Sequence, residues 1–205
     1  MGEIGVRDRT AREFRHGNDY FEPFLWERFA SEFPNPLQFT IGRSNPATDW
    51  NFAQSSYWKE GKRAAWPWRI HFTLADPLPT AGDATLTLAF ASADGARIDV
   101  QINDTPNLHA KLYPAVERGN ALVREGIHAK YCLHHIAIPV AKLRPGANTI
   151  TLTQGRPNAA ANHVMYDYLS LELPDVSAKS DRSAAAHQQG GGELPVAGLL
   201  GAKRE

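Results

Sequence analysis

Two stretches of the sequence gather side chains that could recognise an acidic sugar. Arg124, His128 and Tyr131 lie in a segment without regular alternation, and Gln154 and Arg156 follow a predicted strand further along the chain. Arg can hold a carboxylate through two parallel hydrogen bonds, Tyr can stack on a sugar ring, and Gln can bond hydroxyls. The alternative is that Arg124 and His128 only tie down a long loop, because polar loop residues need not bind anything.

Asp167 is a carboxylate placed among apolar residues. With period two, Met165, Leu169 and Leu171 share its face of a predicted strand. A buried charge is costly unless it is paired, hydrogen-bonded or metal-bound. We expect an Arg or backbone N–H groups at the edge of the fold to hold it. A structural calcium site is the alternative, although no dense acidic cluster supports it.

The remaining reactive residue types do not form a recognisable catalytic or metal motif. Cys132 is the single cysteine and is expected to pack as a small hydrophobe. His134 and His135 are consecutive, so in a strand they point to opposite faces and cannot bind one metal together. The sequence contains no HExxH, GxSxG or glycine-rich phosphate loop.

Charge and hydropathy exclude several classes of partner. Lys plus Arg and Asp plus Glu both total 22 in 205 residues, so the formal net charge is zero and no nucleic-acid surface is indicated. No apolar run approaches the roughly 20 residues of a membrane span. The first residues show no basic region followed by an apolar one, so we expect no signal peptide; the chain is then cytoplasmic or begins inside a longer secreted protein.

Period-two alternation predicts the elements that must position these side chains. Strands are expected near residues 39–42, 66–74, 85–90, 97–102, 133–138, 149–153 and 164–173. Asp94-Gly95 predicts a hairpin between the third and fourth of these. Pro145-Gly146 predicts a type II turn. A short helix is expected between residues 20 and 33, ended by Pro34, and another near residues 120–124.

Aromatic residues are concentrated in the first part of the chain. Fifteen of the 20, including all five Trp, lie at or before Phe72. We expect Trp50, Trp58 and Trp66 to anchor the core and Asp49 to cap a turn. If the predicted loop does not bind sugar, the exposed Trp residues near the front of the chain are the alternative platform.

These patterns define three regions and one fold class. Residues 1–38 are predicted to be a lead-in segment packing on the fold, residues 39–174 the fold itself, and residues 175–205 a disordered tail with too little apolar surface to order. Many strands with little helix predict an all-β, antiparallel β-sandwich, and the long connections favour a jelly roll.

Four pieces of the sequence, in order, carry a family resemblance that spans roughly residues 4–173. The chain resembles the C-terminal region of rhamnogalacturonan endolyases, polysaccharide lyase family four. The matching pieces are residues 4–14 (IGVRDRTAREF), 39–42 (FTIG) with Asp49-Trp50, 124–128 (REGIH), and 164–168 (VMYDY) with Leu171-Glu172.

The resemblance implies a carbohydrate-binding-module-like, galactose-binding-like jelly roll that follows a catalytic and a fibronectin-like domain. The family's catalytic Lys and His belong to the first domain, which nothing here matches, so no catalytic residue is assigned and enzyme activity of this chain alone is not expected. The implied role is to bind or position pectic polysaccharide, in an extracellular or periplasmic setting. Two alternatives stay open: a part of an active lyase completed by a separately encoded catalytic domain, and a purely structural packing domain.

Overall fold

The computed structural model describes residues 2–19, 22–114 and 130–174, and its strands form two five-stranded sheets and a hairpin. Sheet 1 has the order β1-β12-β7-β10, with β3 also paired to β12. Sheet 2 has the order β2-β6-β11-β8-β9. Strands β4 and β5 form the hairpin. The predicted helix near residues 120–124 and the predicted tail lie outside these ranges.

The elements have the following bounds. Sheet 1 contains β1 (Glu3–Gly5), β3 (Ala53–Gln54), β7 (Asp83–Asp94), β10 (Cys132–Pro139) and β12 (His163–Glu172). Sheet 2 contains β2 (Leu37–Thr40), β6 (Pro67–Leu74), β8 (Ile98–Ile102), β9 (Ala110–Leu112) and β11 (Gly146–Gln154). The hairpin comprises β4 (Tyr57–Lys59) and β5 (Lys62–Ala64), and the helices are α1 (Leu25–Glu32), α2 (Pro46–Asp49) and a 3-10 turn (Val140–Lys142).

An aromatic core joins the two sheets. The ring of Trp68 on β6 stacks on that of Tyr166 on β12 with centroids 5.1 Å apart, and Trp50 packs edge-on against both. All three are fully buried. The Tyr166 hydroxyl donates to the buried Gln54 side chain at 2.7 Å, so the phenol is satisfied inside the core. The predicted all-β antiparallel sandwich is confirmed, with β2–β6 as a parallel exception.

Most successive strands pass from one sheet to the other, as in a jelly roll; β8 and β9 are an exception, since they pair within sheet 2. The chain runs from β7 in sheet 1 to β8 in sheet 2, and from β10 in sheet 1 to β11 in sheet 2. The predicted Asp94-Gly95 hairpin is therefore wrong, because this turn connects two sheets rather than two paired strands. Gly146 does adopt the positive φ, 80°, that the predicted type II turn needs.

The lead-in segment contributes strands as well as packing. β1 pairs with β12 and β2 pairs with β6, so the predicted boundary after residue 38 does not separate a wrapping segment from the sandwich. The helix predicted between residues 20 and 33 is present as α1. Its Glu32 accepts hydrogen bonds from Arg15 at 2.9 Å and contacts the His16 ring at 2.6 Å. The described residues up to Pro174 belong to one compact unit.

A bulge in β12 changes which residues face the core. Tyr166 pairs with Phe90 and Tyr168 with the neighbouring Ala89, so Asp167 is an extra residue without a partner on β7. Tyr166 and Leu169 are both buried although they are three residues apart. The prediction of unbroken period-two alternation through Asp167 is therefore wrong, because the inserted residue switches whether even-numbered or odd-numbered positions of β12 face the core.

Within the described ranges, no helix has the length and apolar character needed to cross a membrane.

Candidate functional site

The structure describes only part of the predicted sugar-binding loop. Arg124 and His128 lie outside the described residues, so their predicted role stays a prediction. Tyr131 is partly exposed, and the guanidinium of Arg9 lies 5.4 Å from the centre of its ring. This cation–π contact connects the end of the loop to the lead-in segment.

Gln154 is a structural residue rather than a surface ligand for hydroxyls. Its side chain is fully buried. The amide nitrogen donates to the carbonyls of Arg156 and Asn162, both at 2.9 Å, and the amide oxygen accepts from the Arg156 N–H at 2.6 Å. The sequence alone indicates this burial, because Gln154 lies two residues after Leu152 and four after Ile150, so all three side chains share the buried face of β11.

Arg156 stays at the surface beside an exposed aromatic ring. One guanidinium nitrogen donates to the Gly95 carbonyl at 3.2 Å, and the guanidinium carbon lies 5.6 Å from the centre of the Tyr113 ring. Tyr113 is 52% exposed. The pair has the residue types for a sugar contact, but within the described part of the chain Arg156 contacts Gly95 and Tyr113 rather than Tyr131.

Asp167 anchors the lead-in segment through backbone groups. Its Oδ1 accepts from the N–H groups of Asp8 at 3.1 Å and Arg9 at 2.8 Å. Its buried Oδ2 has no hydrogen-bond partner among the described residues. Burial raises the pKa of this carboxyl group, and the nearby backbone N–H groups of residues 8–10 oppose that shift only in part. Of the predicted partners, backbone N–H groups are present in place of an Arg side chain.

The described surroundings of Asp167 supply few of the ligands that a calcium ion needs. Calcium takes about six to eight oxygen ligands. Here one carboxylate oxygen faces two N–H donors, and the described part of the chain holds no group of three or more His, Cys, Asp or Glu side chains that could bind a metal.

The other residues with reactive side chains have structural surroundings. The Cys132 thiol contacts the Lys130 carbonyl at 3.2 Å, and burial raises its pKa, which disfavours the nucleophilic thiolate. His134 packs near the Phe90 ring, whereas His135 contacts the Thr87 hydroxyl at 3.1 Å. Asp49 caps its turn, as predicted, by accepting from the Asn45 N–H at 2.8 Å.

The outer face of sheet 1 carries a polar depression of about 450 Å³, here called the sheet cleft. Pairing registers align Glu3, Ser170, Thr87 and His135 across its four strands. The Tyr168 hydroxyl donates to the Glu3 carboxylate at 2.7 Å. Burial, together with this acceptor, raises the pKa of Tyr168, which keeps the phenol protonated. The cleft is lined by Glu3, Gly5, Val6, Arg7, Thr85, Thr87, His135, Tyr168, Ser170 and Glu172.

A second depression, of about 390 Å³, lies beside α1 and is here called the helix cleft. Its walls include Phe24, which is 67% exposed, and Trp26. Trp26 is also one of two indoles that flank the guanidinium of Arg63, with the other, Trp58, on the β4–β5 hairpin. Trp58 is thus partly exposed instead of an interior anchor, whereas Trp50 and Trp66 are fully buried as predicted.

Sequence reasoning missed Arg63 because it missed the hairpin. The register pairs Lys59 with Lys62, which leaves Glu60-Gly61 as a two-residue turn in which both residues have positive φ, 51° and 74°. Such turns are typical of tight hairpins. The segment YWKEGKRA therefore held the signal that places Trp58 directly opposite Arg63.

Comparison with known proteins identifies the family. The family model described as "CBM-like: Polysaccharide lyase family 4, domain III" matches residues 2–171. The chain belongs to this domain III family. The resemblance read from the four sequence pieces is confirmed.

Curated relatives of this domain III chain are much longer proteins. It is 30% identical over 175 residues to a rhamnogalacturonate lyase of Dickeya dadantii, covering 82% of this chain and 27% of the relative. It is 26% identical over 216 residues to a probable rhamnogalacturonate lyase B of Aspergillus fumigatus, covering 83% of this chain and 32% of that relative. The chain thus spans about a third or less of these relatives.

Among solved structures, the domain III chain shows a distant match. A family 35 carbohydrate binding module from an environmental isolate is 18% identical with a TM-score of 0.34, covering 53% of this chain and 64% of that one.

Proposed function

We propose that this chain is a non-catalytic, carbohydrate-binding domain of a rhamnogalacturonan lyase, and that it binds or positions pectic polysaccharide through the sheet cleft. The observation that carries the proposal is the polar row across sheet 1, in a chain that belongs to a carbohydrate-binding-module-like family. The polysaccharide alternates rhamnose with galacturonate, so each repeat offers several hydroxyls and one carboxylate.

The sheet cleft offers hydrogen-bonding groups suited to that ligand. The Thr87 hydroxyl and the His135 ring can exchange donors and acceptors with sugar hydroxyls. Arg7 lines the cleft and can pair with a carboxylate, whereas Glu3 and Glu172 accept from hydroxyls. Exposed charge contacts add only about 0.2–1 kcal/mol each, so we expect affinity for a short oligosaccharide of roughly 10 µM to millimolar.

The length of the relatives favours a second role beside binding. Because the chain matches only 27–32% of two rhamnogalacturonate lyases, the catalytic portion of such a protein would lie outside these residues. The domain would then buttress or complete that portion as well as hold the polysaccharide. This role places the chain where pectin is, outside the cell or in the periplasm.

Titration calorimetry with rhamnogalacturonan oligosaccharides tests the binding proposal. Tyr168→Phe removes one hydroxyl of the sheet cleft, and Thr73→Val, at an exposed position on β6 in sheet 2, is the control that removes a hydroxyl outside it. A neutral hydrogen bond contributes about 0.5–1.5 kcal/mol, so we expect Tyr168→Phe and His135→Gln each to weaken binding about two- to tenfold. Arg124→Ala, measured in parallel, tests the loop predicted from the sequence.

Two outcomes would overturn the proposal. If no pectic oligosaccharide gives heat with the wild-type chain, a purely structural packing domain is favoured. If binding is unchanged by both cleft variants but lost in Arg124→Ala, the polysaccharide binds the loop instead of the sheet cleft. Exposed pairs are screened by salt, so charge-assisted binding should also weaken as salt rises.

A further inference from the structure

Trp26, Trp58 and Arg63 form a corner that presents a cation between two indoles. The Arg63 guanidinium carbon lies 4.2 Å from the ring centre of Trp26 and 4.6 Å from that of Trp58. The two indoles meet edge to face at 77°, with centroids 5.5 Å apart. Each of the three side chains is partly exposed. The guanidinium is therefore held in place by cation–π contacts yet remains within reach of a ligand.

The charge of Arg63 has no acidic partner among the described residues. One of its nitrogens donates to the Ser56 hydroxyl at 2.8 Å, and no described carboxylate forms an ion pair with it. Lys59 and Lys62, both exposed, lie on the same hairpin, and Glu60 at the turn is its single acid. Arg has five N–H donors in a planar fork that matches a carboxylate. The hairpin therefore offers unneutralised positive charge and free donors.

The corner adjoins the helix cleft, because Trp26 belongs to both. The cleft also presents the exposed Phe24 ring and His163, whose Nδ1 contacts the Ala161 carbonyl at 2.8 Å. Glu22 lines the cleft, but its carboxylate is paired with Arg28 at 2.6 Å. Aromatic faces suit the apolar face of a sugar ring, and the guanidinium of Arg63, which contacts Trp26, suits its carboxylate.

We propose that this corner and the helix cleft form a separate subsite for a uronate residue, with the sugar ring on Trp26 or Phe24 and its carboxylate on Arg63. The inference rests on the proposed polysaccharide binding but uses a different surface from the sheet cleft. The sheet cleft contains no Trp, so the two sites have different spectroscopic signatures.

Fluorescence quenching can follow this subsite specifically. Trp50, Trp66 and Trp68 are fully buried, so Trp26 and Trp58 are the indoles that a soluble quencher such as acrylamide reaches. The probes are a galacturonate tetramer and its methyl ester, which keeps the shape and removes the charge. We expect the acid, and not the ester, to protect the accessible fluorescence and to bind about tenfold more tightly.

Variants of Arg63 separate charge from fork geometry. Arg63→Gln should abolish the preference for the acid, and Arg63→Lys should retain only part of it, because Lys keeps the charge without the two-pronged contact. Arg43→Gln, on an exposed arginine after β2, is the matched control and should bind as wild type. Thermal unfolding of each variant checks that the hairpin is still folded.

The outcomes distinguish this inference from the proposed function. If rhamnogalacturonan binds but the acid and ester tetramers protect Trp equally, or Arg63→Gln keeps the preference, the uronate subsite is refuted and Arg63 only pins the hairpin to α1. If no pectic ligand binds at all, the proposed function and the subsite both fail. If Arg63→Gln does not fold, Arg63→Lys decides, since binding equal to wild type in a folded protein would also refute the subsite.

Discussion

Replacing Asp167 tests whether its carboxylate holds the lead-in segment on the sandwich. Asp167→Ala removes the acceptor for two backbone N–H groups, at 3.1 and 2.8 Å. Hydrogen bonds to a charged acceptor contribute about 1.5–3 kcal/mol each. Removing a buried carboxylate whose second oxygen is unpartnered returns about 1–3 kcal/mol. We therefore expect Asp167→Ala to lower the free energy of unfolding by about 2–3 kcal/mol.

Asp167→Asn separates the hydrogen bonds from the charge. Asn keeps the Oδ1 acceptor and removes the buried charge, so we expect a change of only about 1 kcal/mol or less at neutral pH. Because the folded-state pKa of Asp167 is raised, the folded protein binds more protons than the unfolded chain between the two pKa values. The stability of the wild type should therefore fall, relative to Asp167→Asn, as the pH rises through that window.

Urea unfolding followed by the fluorescence of the buried tryptophans measures both effects. The slope m should be the same in all variants, so that midpoints report stability. Asp83→Ala, at an exposed position at the start of β7, is the control and should be nearly neutral. Equal destabilisation by Asn and Ala would refute the reasoning, because it would show that the charge itself stabilises the fold. A loss below about 0.5 kcal/mol in Asp167→Ala would show that the two bonds contribute nothing.

The remaining predictions concern packing, acid sensitivity, activity and the tail. A Cβ on Gly17 would overlap a backbone carbonyl, so Gly17→Ala should lower the free energy of unfolding in urea by about 2–3 kcal/mol. For Gly42→Ala the expected loss is about 1 kcal/mol, because there only the positive φ of 77° opposes the side chain. Burial alone would raise the pKa of Glu32, but hydrogen bonds from His16 and an arginine hold it below its usual value. The stabilisation that the ionised Glu32 carboxylate gives the fold is therefore present above the unfolded-state pKa and is lost as the pH falls through the folded-state pKa. The variant Glu32→Gln should accordingly lose less stability on acidification than the wild type. The purified chain should form no unsaturated product from rhamnogalacturonan, since β-elimination needs a base and a group that neutralises the uronate; steady product formation would contradict this. Deleting residues 180–205 should leave the unfolding midpoint unchanged, and a clear drop would show that the tail docks.

Alternation predicted those strands that have one face in the core. Strands β6 and β11 show this pattern in their burial as well as in their sequence. Alternation failed where local chemistry departs from period two. The bulge at Asp167 adds one residue, and the Asp94-Gly95 turn has the same residues whether it joins paired strands or separate sheets.

The candidate sites were harder to predict than the fold. Both clefts assemble side chains from strands that are distant in sequence, such as Glu3 and Ser170, and no local pattern encodes such a meeting. Arg63 required recognition of a short hairpin and of the helix packed against it. Gln154 was predicted to bind sugar because of its residue type, although its even-numbered position on β11 lies on the same buried face as Ile150 and Leu152.

The pairing of β1 with β12 has a mechanical consequence. Glu3 pairs with Ser170, so the polypeptide enters and leaves the sandwich on adjacent strands at one end. A pull on both ends would load the three paired positions of β1 one after another, beginning at Glu3 and ending at Gly5. We expect the first yielding event under force to be detachment of β1 and of the lead-in bonded to Asp167, with the aromatic core still intact.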